Sequence, residues 1–232
     1  MATLGEYLGA GASTTKLLLH LNGNSNDSSG NGNNGTVNGA TSTNSGKFGG
    51  AYNFDGSDDY ITLPSFSWIN GPFTFSAWIK RNNKNRRDAI VYYGWGNYGN
   101  CFVINLLNNF YDNVAEPFWD DSSNIFDLSA RGVTPINSDT WYNIIATFEK
   151  VSGVAYLKLY VNGNLDKSNS QPSPRTANGT TYRYIGAGIS SEYNMGNYFL
   201  GSIDEVIVEN VVWTPEKIKK YYTYSKGRFG IL

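Results

Sequence analysis

Hydrophobic and polar residues alternate along much of this 232-residue chain. "FTFSAWIK" places Phe73, Phe75, Ala77 and Ile79 on one face and Thr74, Ser76, Trp78 and Lys80 on the other. "WYNIIATFEK" repeats the scheme, with Tyr142, Ile144, Ala146 and Phe148 opposite Asn143, Ile145, Thr147 and Glu149. "VAYLKLYV" does so again, with Tyr156, Lys158 and Tyr160 outward. A period of two sustained over such lengths predicts half-buried β-strands. "TKLLLHL", "AYNF", "DYITL", "AIVYYGW", "CFVINLL", "YRYIGAG" and "SIDEVIVEN" are further strand candidates. Asn162-Gly163 between two apolar runs predicts a tight hairpin, because both residues tolerate positive φ. A single helix is expected near the end, in "WTPEKIKKYYTYSKG". Thr214 serves as N-cap, Pro215 fills the first helical position, and Gly227 provides a stop. Ile218, Tyr221 and Tyr222 then share one stripe.

This pattern predicts an all-β, two-sheet antiparallel sandwich of about ten strands with a short C-terminal helix, since no repeat or linker divides it. Its expected limits are residues 16–224, between tails at 1–15 and 225–232. Both tails keep apolar residues, Leu4, Tyr7 and Leu8 in one and Phe229, Ile231 and Leu232 in the other. Chain ends are usually polar and mobile, so these read either as docking segments for a partner or assembly, or as packing on their own domain.

Composition narrows the functional classes. Only 16% of residues are charged and the net charge is −1, so phosphate neutralisation has no basic excess to draw on and a nucleic-acid partner is excluded. Aromatic residues reach 15%, including 17 Tyr, a surplus that a core alone does not call for. One cysteine, Cys101 in a strand-like setting, rules out an internal disulfide framework and is expected to be buried. One histidine, His20, is expected to pack or cap a strand, so neither zinc chemistry nor a Ser/His or Cys/His nucleophile is supported. No basic-then-apolar leader and no membrane span are present, so synthesis in the cytosol without a visible export signal is expected.

The run "NDSSGNGNNG", residues 26 to 35, cannot contribute to a core. From Asp27, oxygen-bearing side chains fall at relative positions one, three and five, with Gly32 at six. Calcium loops use that spacing because a hard cation needs several oxygens and a sharp turn. The closing carboxylate of such a loop is absent at Asn38, and Asn/Gly/Ser clusters also form plain turns. Metal loop and turn both remain open on spacing alone.

Several fragments occur in a telling order: "KLLLHLNGNSNDSSGNGNNG", "GKFGGAYNFDGSDDYITLP", "FTFSAWIK", "LKLYVNGNLD" and "FLGSIDEVIVENVVWTPEKIKKYY". This order resembles the laminin G-like, concanavalin A-like lectin/glucanase family over about residues 16 to 224. The resemblance implies a jelly-roll sandwich with one concave sheet. Glucanases of that fold carry a Glu-x-Asp-x-(x)-Glu strand, and no such motif occurs here. Glu205 and Glu209 share a face by alternation but lie about 13 Å apart at strand rise, too far for a carboxylate pair. They read as part of a solvated sheet face, and the chain as not an enzyme.

The same resemblance implies a structural calcium where the N-terminal strand, a loop and the C-terminal strand meet. The matching segments are "HLNGNSND", the Asp55 to Asp59 region and Asp204, with Asp27 and Asp204 the first expected ligands. Alternation puts Asp204 beside Val206 and Val208 on a core face, where a carboxylate needs a cation or strong donors. Capping of backbone amides by Asp204 is the alternative.

Sugar rings stack on aromatic faces while amides and carboxylates bond their hydroxyls. "VYYGWGNYGNCF" offers Tyr93, Trp95 and Tyr98 for that purpose, and the loop-like "NNFYDNVAEPFWDDSSN" adds Trp119, Asp120 and Asp121. Rings covering the open edge of the core are the competing reading. Trp78, Trp141 and Trp213 are expected in the framework. Function is therefore expected to be noncatalytic recognition of glycans or a surface, outside the cell or on a virion. The alternative is a structural or decoration protein of a phage particle or surface assembly, with cell-surface or virion protein as partner.

Overall fold

The alternating segments pair into two antiparallel sheets whose inner faces meet in one core. A computed structural model describes residues 14–66, 71–94, 101–120, 127–172, 182–191 and 194–226. Sheet A has the order β13 (Asn164–Pro172), β12 (Val154–Val161), β11 (Trp141–Val151), β6 (Phe73–Arg81), β17 (Leu200–Glu209), β4 (Gly50–Asp55) and β3 (Thr41–Phe48). In the same sheet, β1 (Thr15–Leu19) also pairs with β17. Sheet B has the order β10 (Asp127–Ser129), β9 (Ala115–Asp120), β8 (Cys101–Leu106), β7 (Asp88–Gly94), β14 (Tyr182–Ile185), β5 (Tyr60–Thr62) and β2 (Thr36–Asn38). A separate hairpin joins β15 (Gly188–Ser191) to β16 (Asn194–Gly196), and helix α1 spans Pro215–Lys226.

The strands with clean alternation behave as their sequences demand. Phe73, Phe75, Ala77 and Ile79 of β6 enter the shared core with Ile144, Ala146 and Phe148 of β11 and with Phe102 and Ile104 of β8. Phe148 stacks on both Phe73 and Trp119, with centroids 5.3 and 4.6 Å apart, so aromatic packing joins the two sheets. Asn162 and Gly163 close the β12–β13 turn with φ of 51° and 75°, the left-handed values that such a hairpin needs.

The outer face of sheet A is more buried than alternation predicts. Leu18, Ile145, Tyr160 and Ile207 on that face form a second core with Trp213, Ile218 and Tyr221 from α1 and its approach. Thr214 caps the helix, its Oγ1 accepting from Lys217 N at 3.2 Å. The helix runs to Lys226, so Ser225 and Lys226 belong to it rather than to a tail, while β1 already begins at Thr15. Trp78 stacks on Tyr222 at 5.9 Å and takes the edge of Phe48 at 5.8 Å. It is a framework residue on the helix side.

One irregularity governs the C-terminal strand. Glu205 has φ of 50° and forms a bulge, so Ile203 and Val206 both face the main core although three residues apart. Asp204 consequently lies across from Trp78, on the outer face under the helix and not beside Val206 and Val208. The expected placement is corrected because the bulge inserts one residue into the period. The strand also changes neighbours there: Leu200–Ile203 pair with β4, and Val206–Glu209 with β1.

Strands that the period does not reveal are short or polar. "AEPFWD" forms β9, although it reads as loop, and "NLDKSNSQP" forms the exposed edge strand β13. Both follow neighbours with strong patterns and are held by them. β9 pairs along its full length with β8, and β13 with β12.

Candidate functional site

The run "NDSSGNGNNG" closes the open edge of β1. Asp27 accepts hydrogen bonds from Leu18 N at 3.0 Å, Ser29 N at 2.9 Å, Ser29 Oγ at 2.8 Å and Asn33 N at 2.9 Å. Ser28 N donates to Leu18 O at 2.8 Å, and the amides of Asn31 and Asn33 donate to Thr15 O and Lys16 O, both at 2.7 Å. Side chains thus stand in for a missing neighbour strand, which blunts an edge that would otherwise recruit another chain. Gly30 and Gly32 make this possible with φ of 87° and 72°. The Asp27 carboxylate is filled by four donors, so it does not suit a cation. It also lies on the far side of β1 from β17: Leu19 faces Asp27 on one side and Val206 on the other. Asp27 and Asp204 are therefore not brought together.

Asp204 is fully buried and accepts from Phe48 N at 3.0 Å through Oδ2, while Oδ1 meets no donor in good geometry among the described residues. Burial first, and the adjacent Glu205 second, push its carboxyl up to about 7. Glu205 receives His20 Nδ1 at 2.9 Å, and Lys47, whose charge feels Asp204, sits over the Trp78 ring at 4.7 Å. A buried carboxylate with an open oxygen beside a second carboxylate suits a hard cation in donor chemistry. Asp55, Asp58 and Asp59 form a separate acidic group at the other end of β4, where Asp59 also accepts from Asp55 N at 2.8 Å. The three segments expected to share one ion stand at three places.

Glu205 and Glu209 are not a solvated face. Both are buried, and Glu209 accepts from Trp213 Nε1 at 2.7 Å and from Lys217 Nζ at 3.0 Å. These carboxylates fasten the helix and β1 to sheet A.

Two expected sugar-stacking residues belong to the core instead. Tyr93 is 0% exposed, with its ring edge-on to Phe66, and Trp119 is 1% exposed beneath Phe148. Neither ring offers a face to a ligand: Tyr93 packs into the main core while Tyr92 lies with Cys101 and Val103 in an outer cluster, and Trp119 packs into the main core. Trp95, Tyr98 and Asp121 lie outside the described residues. The strand ends that lead to them do converge: Tyr182, Gly94, Cys101, Asp120 and Asp127 form one rung at one end of sheet B. Asp120 is buried in that rung, and burial together with Cys101 and Asp120 raises the Tyr92 hydroxyl far above its ordinary range. Cys101 is buried as expected.

The aromatic surface lies on the outer face of sheet B. One row crosses all seven strands: Thr36, Thr62, Tyr184, Tyr92, Val103, Phe118 and Ser129. Tyr60, Tyr182, Tyr184 and Phe118 are half-buried. Tyr184 packs against Tyr60 at 5.2 Å and Tyr182 at 6.1 Å, giving a linked array of rings. Burial and the neighbouring tyrosines raise the Tyr184 hydroxyl, so it stays neutral and able to hydrogen-bond at physiological pH. Half-exposed rings supply apolar faces for sugar C–H groups, and phenol, Thr and Ser hydroxyls bond sugar hydroxyls. Sequence reasoning placed Tyr60 and Tyr184 in strands without seeing them meet. The alternation of "YRY" shows Tyr182 and Tyr184 on one face, but the pairing of β5 with β14 spans too much chain to be legible.

Residues 54–219 match the family model described as the concanavalin A-like lectin/glucanases superfamily. The human adhesion G-protein coupled receptor D1 is 27% identical over 160 residues, 68% of this chain but 17% of the receptor, so the chain spans a small part of that protein's length. Domain 4 of AbnA, an extracellular arabinanase from Geobacillus stearothermophilus, solved with arabinotriose, superposes with a TM-score of 0.68 at 19% identity, over 90% of this chain and 98% of that one. The ligand-binding domain of botulinum neurotoxin serotype D, solved with N-acetylneuraminic acid, superposes with a TM-score of 0.69 at 20% identity, over 94% of this chain and 52% of that one. At these identities the solved structures establish the fold.

Proposed function

The chain belongs to the concanavalin A-like lectin/glucanases superfamily, and on that premise we propose that it is a noncatalytic glycan-recognition module. The observation that carries the proposal is the linked array of Tyr60, Tyr182 and Tyr184 on the outer face of sheet B. The ligand lies across the strands, its rings on the tyrosine faces and its hydroxyls on Thr62 and the phenols. Solved relatives in complex with arabinotriose and N-acetylneuraminic acid support carbohydrate as the ligand class. The module works at an extracellular or particle surface, where such ligands are displayed. Calcium enters as a structural ion held by Asp204 and Glu205, with no part in ligand contact.

A glycan array probed with the wild-type chain and with Tyr184→Ala tests the proposal. The wild type binds a defined set of glycans, and the variant loses about tenfold in affinity, the scale of one aromatic contact, with an unchanged far-ultraviolet spectrum. Equal retention of every bound glycan by Tyr184→Ala would remove the array from the site.

A further inference from the structure

Five large apolar side chains stand exposed among the described residues, and three of them, Phe110, Tyr111 and Val133, lie on two loops that are tied together. Ile136 N donates to Asn113 O, and Gly132 N to Ala115 O, both at 2.9 Å. Phe110 is 85% exposed on a short 3-10 turn, Asn109–Tyr111, between β8 and β9. The turn is fixed by its backbone. The Asn108 side chain accepts from Phe110 N at 3.2 Å, and its carbonyl accepts from Tyr111 N at 2.9 Å and Asn113 N at 3.1 Å. Asp112 and Asn113 then take φ of 61° and 58°, left-handed values that Asp and Asn adopt more readily than other residues with a Cβ, and they end the turn.

The rings form a corner with an ionic brace. Phe110 and Tyr111 meet at 5.4 Å and 74°, and the guanidinium of Arg131 lies 5.2 Å from the Tyr111 centroid. Arg131 Nε is held by Glu116 Oε1 at 3.0 Å, and the same oxygen accepts from Ser129 Oγ at 2.8 Å. The Arg131 side chain is nonetheless 51% exposed, and its terminal NH₂ groups carry no hydrogen bond among the described residues. A stacking face therefore stands beside an oriented, unused fork of donors.

We infer that this corner is a second carbohydrate contact, selective for a sugar that bears a carboxylate. The sugar's apolar face lies on Phe110, and its carboxylate takes the open edge of Arg131, the planar fork that matches a carboxylate in two hydrogen bonds. Three apolar side chains are too few for a protein interface, which takes about twenty residues a side. Asp112, exposed on the same turn, disfavours seating in an anionic bilayer. The corner shares with the tyrosine array its class of ligand and no residue.

Calorimetric titration of the full chain with two matched pairs, sialyllactose with lactose and digalacturonate with galactobiose, tests the inference. At least one acidic sugar binds the wild type about tenfold more tightly than its neutral match. Phe110→Ala and Arg131→Lys each remove that preference and leave the melting temperature and neutral-sugar binding unchanged. Tyr184→Ala weakens the neutral sugars and leaves the acidic sugar's binding at the corner in place. No acid preference in either pair overturns the inference, as does a preference that survives Arg131→Lys and Phe110→Ala. Unchanged neutral binding in Tyr184→Ala strikes the tyrosine array alone, so the two assignments fail separately.

Discussion

Replacing Asp204 by Asn isolates the cost of one buried charge. The amide is nearly isosteric and its oxygen still accepts from Phe48 N, so the packing against Trp78 is kept. The carboxyl rises from 3.8 to about 7 in the folded chain, chiefly through burial. A raised acid favours the protonated form on folding. Its stabilising contribution is thus complete below about pH 4 and is lost as pH rises towards 7. Three pH units correspond to roughly 4 kcal/mol of destabilisation at pH 8 without metal. Asp204→Asn should recover up to that amount, a rise in melting temperature of about 8–16 °C for a domain of this size. Near pH 4 the two proteins should melt together. Calcium at pH 8 should raise the melting temperature of the wild type, because a ligand of the native state stabilises by mass action, and should leave the variant unmoved. Thermal unfolding across pH, in chelator and in calcium, reads all of this. A variant less stable than wild type at pH 8 in chelator would refute the reasoning, since it would mean that the ionised carboxylate is already paired. A calcium response shared by both proteins would take the ion away from Asp204.

Asp27→Ala removes the acceptor for four donors at the edge of β1 and should cost about 2–4 kcal/mol, read by denaturant unfolding. The wild-type calcium response should survive it, and loss of that response would make Asp27 a ligand after all. Asp88→Asn leaves the buried guanidinium of Arg81, 3.0 Å away, with an uncompensated charge. The expected loss is about 3–5 kcal/mol, and a change under 1 kcal/mol would show that carbonyls alone satisfy Arg81.

Alternation made the sandwich legible wherever a strand had one face on the core, as in "FTFSAWIK" and "VAYLKLYV". The hairpin at Asn162-Gly163 and the helix from Pro215 were equally readable, because turn and cap chemistry are local. Asp204 was misplaced because a bulge in β17 shifts the period by one residue, and a bulge depends on the partner strands, which sequence alone does not name. Polar strands such as β13 escaped because their hydrogen bonds come from the neighbour and not from their own side chains. The opening run kept its two readings for a related reason. Its oxygens are spaced for a cation, and only the folded loop beside β1 shows that backbone donors use those of Asp27 first.

The two outer faces of the sandwich explain where recognition can sit. Sheet A carries α1 on Ile145, Tyr160 and Ile207, and the bulge at Glu205 lets β17 receive β1 on the same edge that receives β4. Trp213, Tyr221 and Trp78 are thereby consumed in packing, which accounts for aromatic content on that side. Among the described residues no helix lies on sheet B, whose outer face holds a small cluster of Tyr92, Cys101 and Val103 with Ile189 packed against it. Its half-buried tyrosines gain too little from burial to be core residues and are too closely linked to be scattered surface positions. A face of that kind is stabilised when an apolar surface that also offers hydroxyls covers it. A sugar chain has that chemistry.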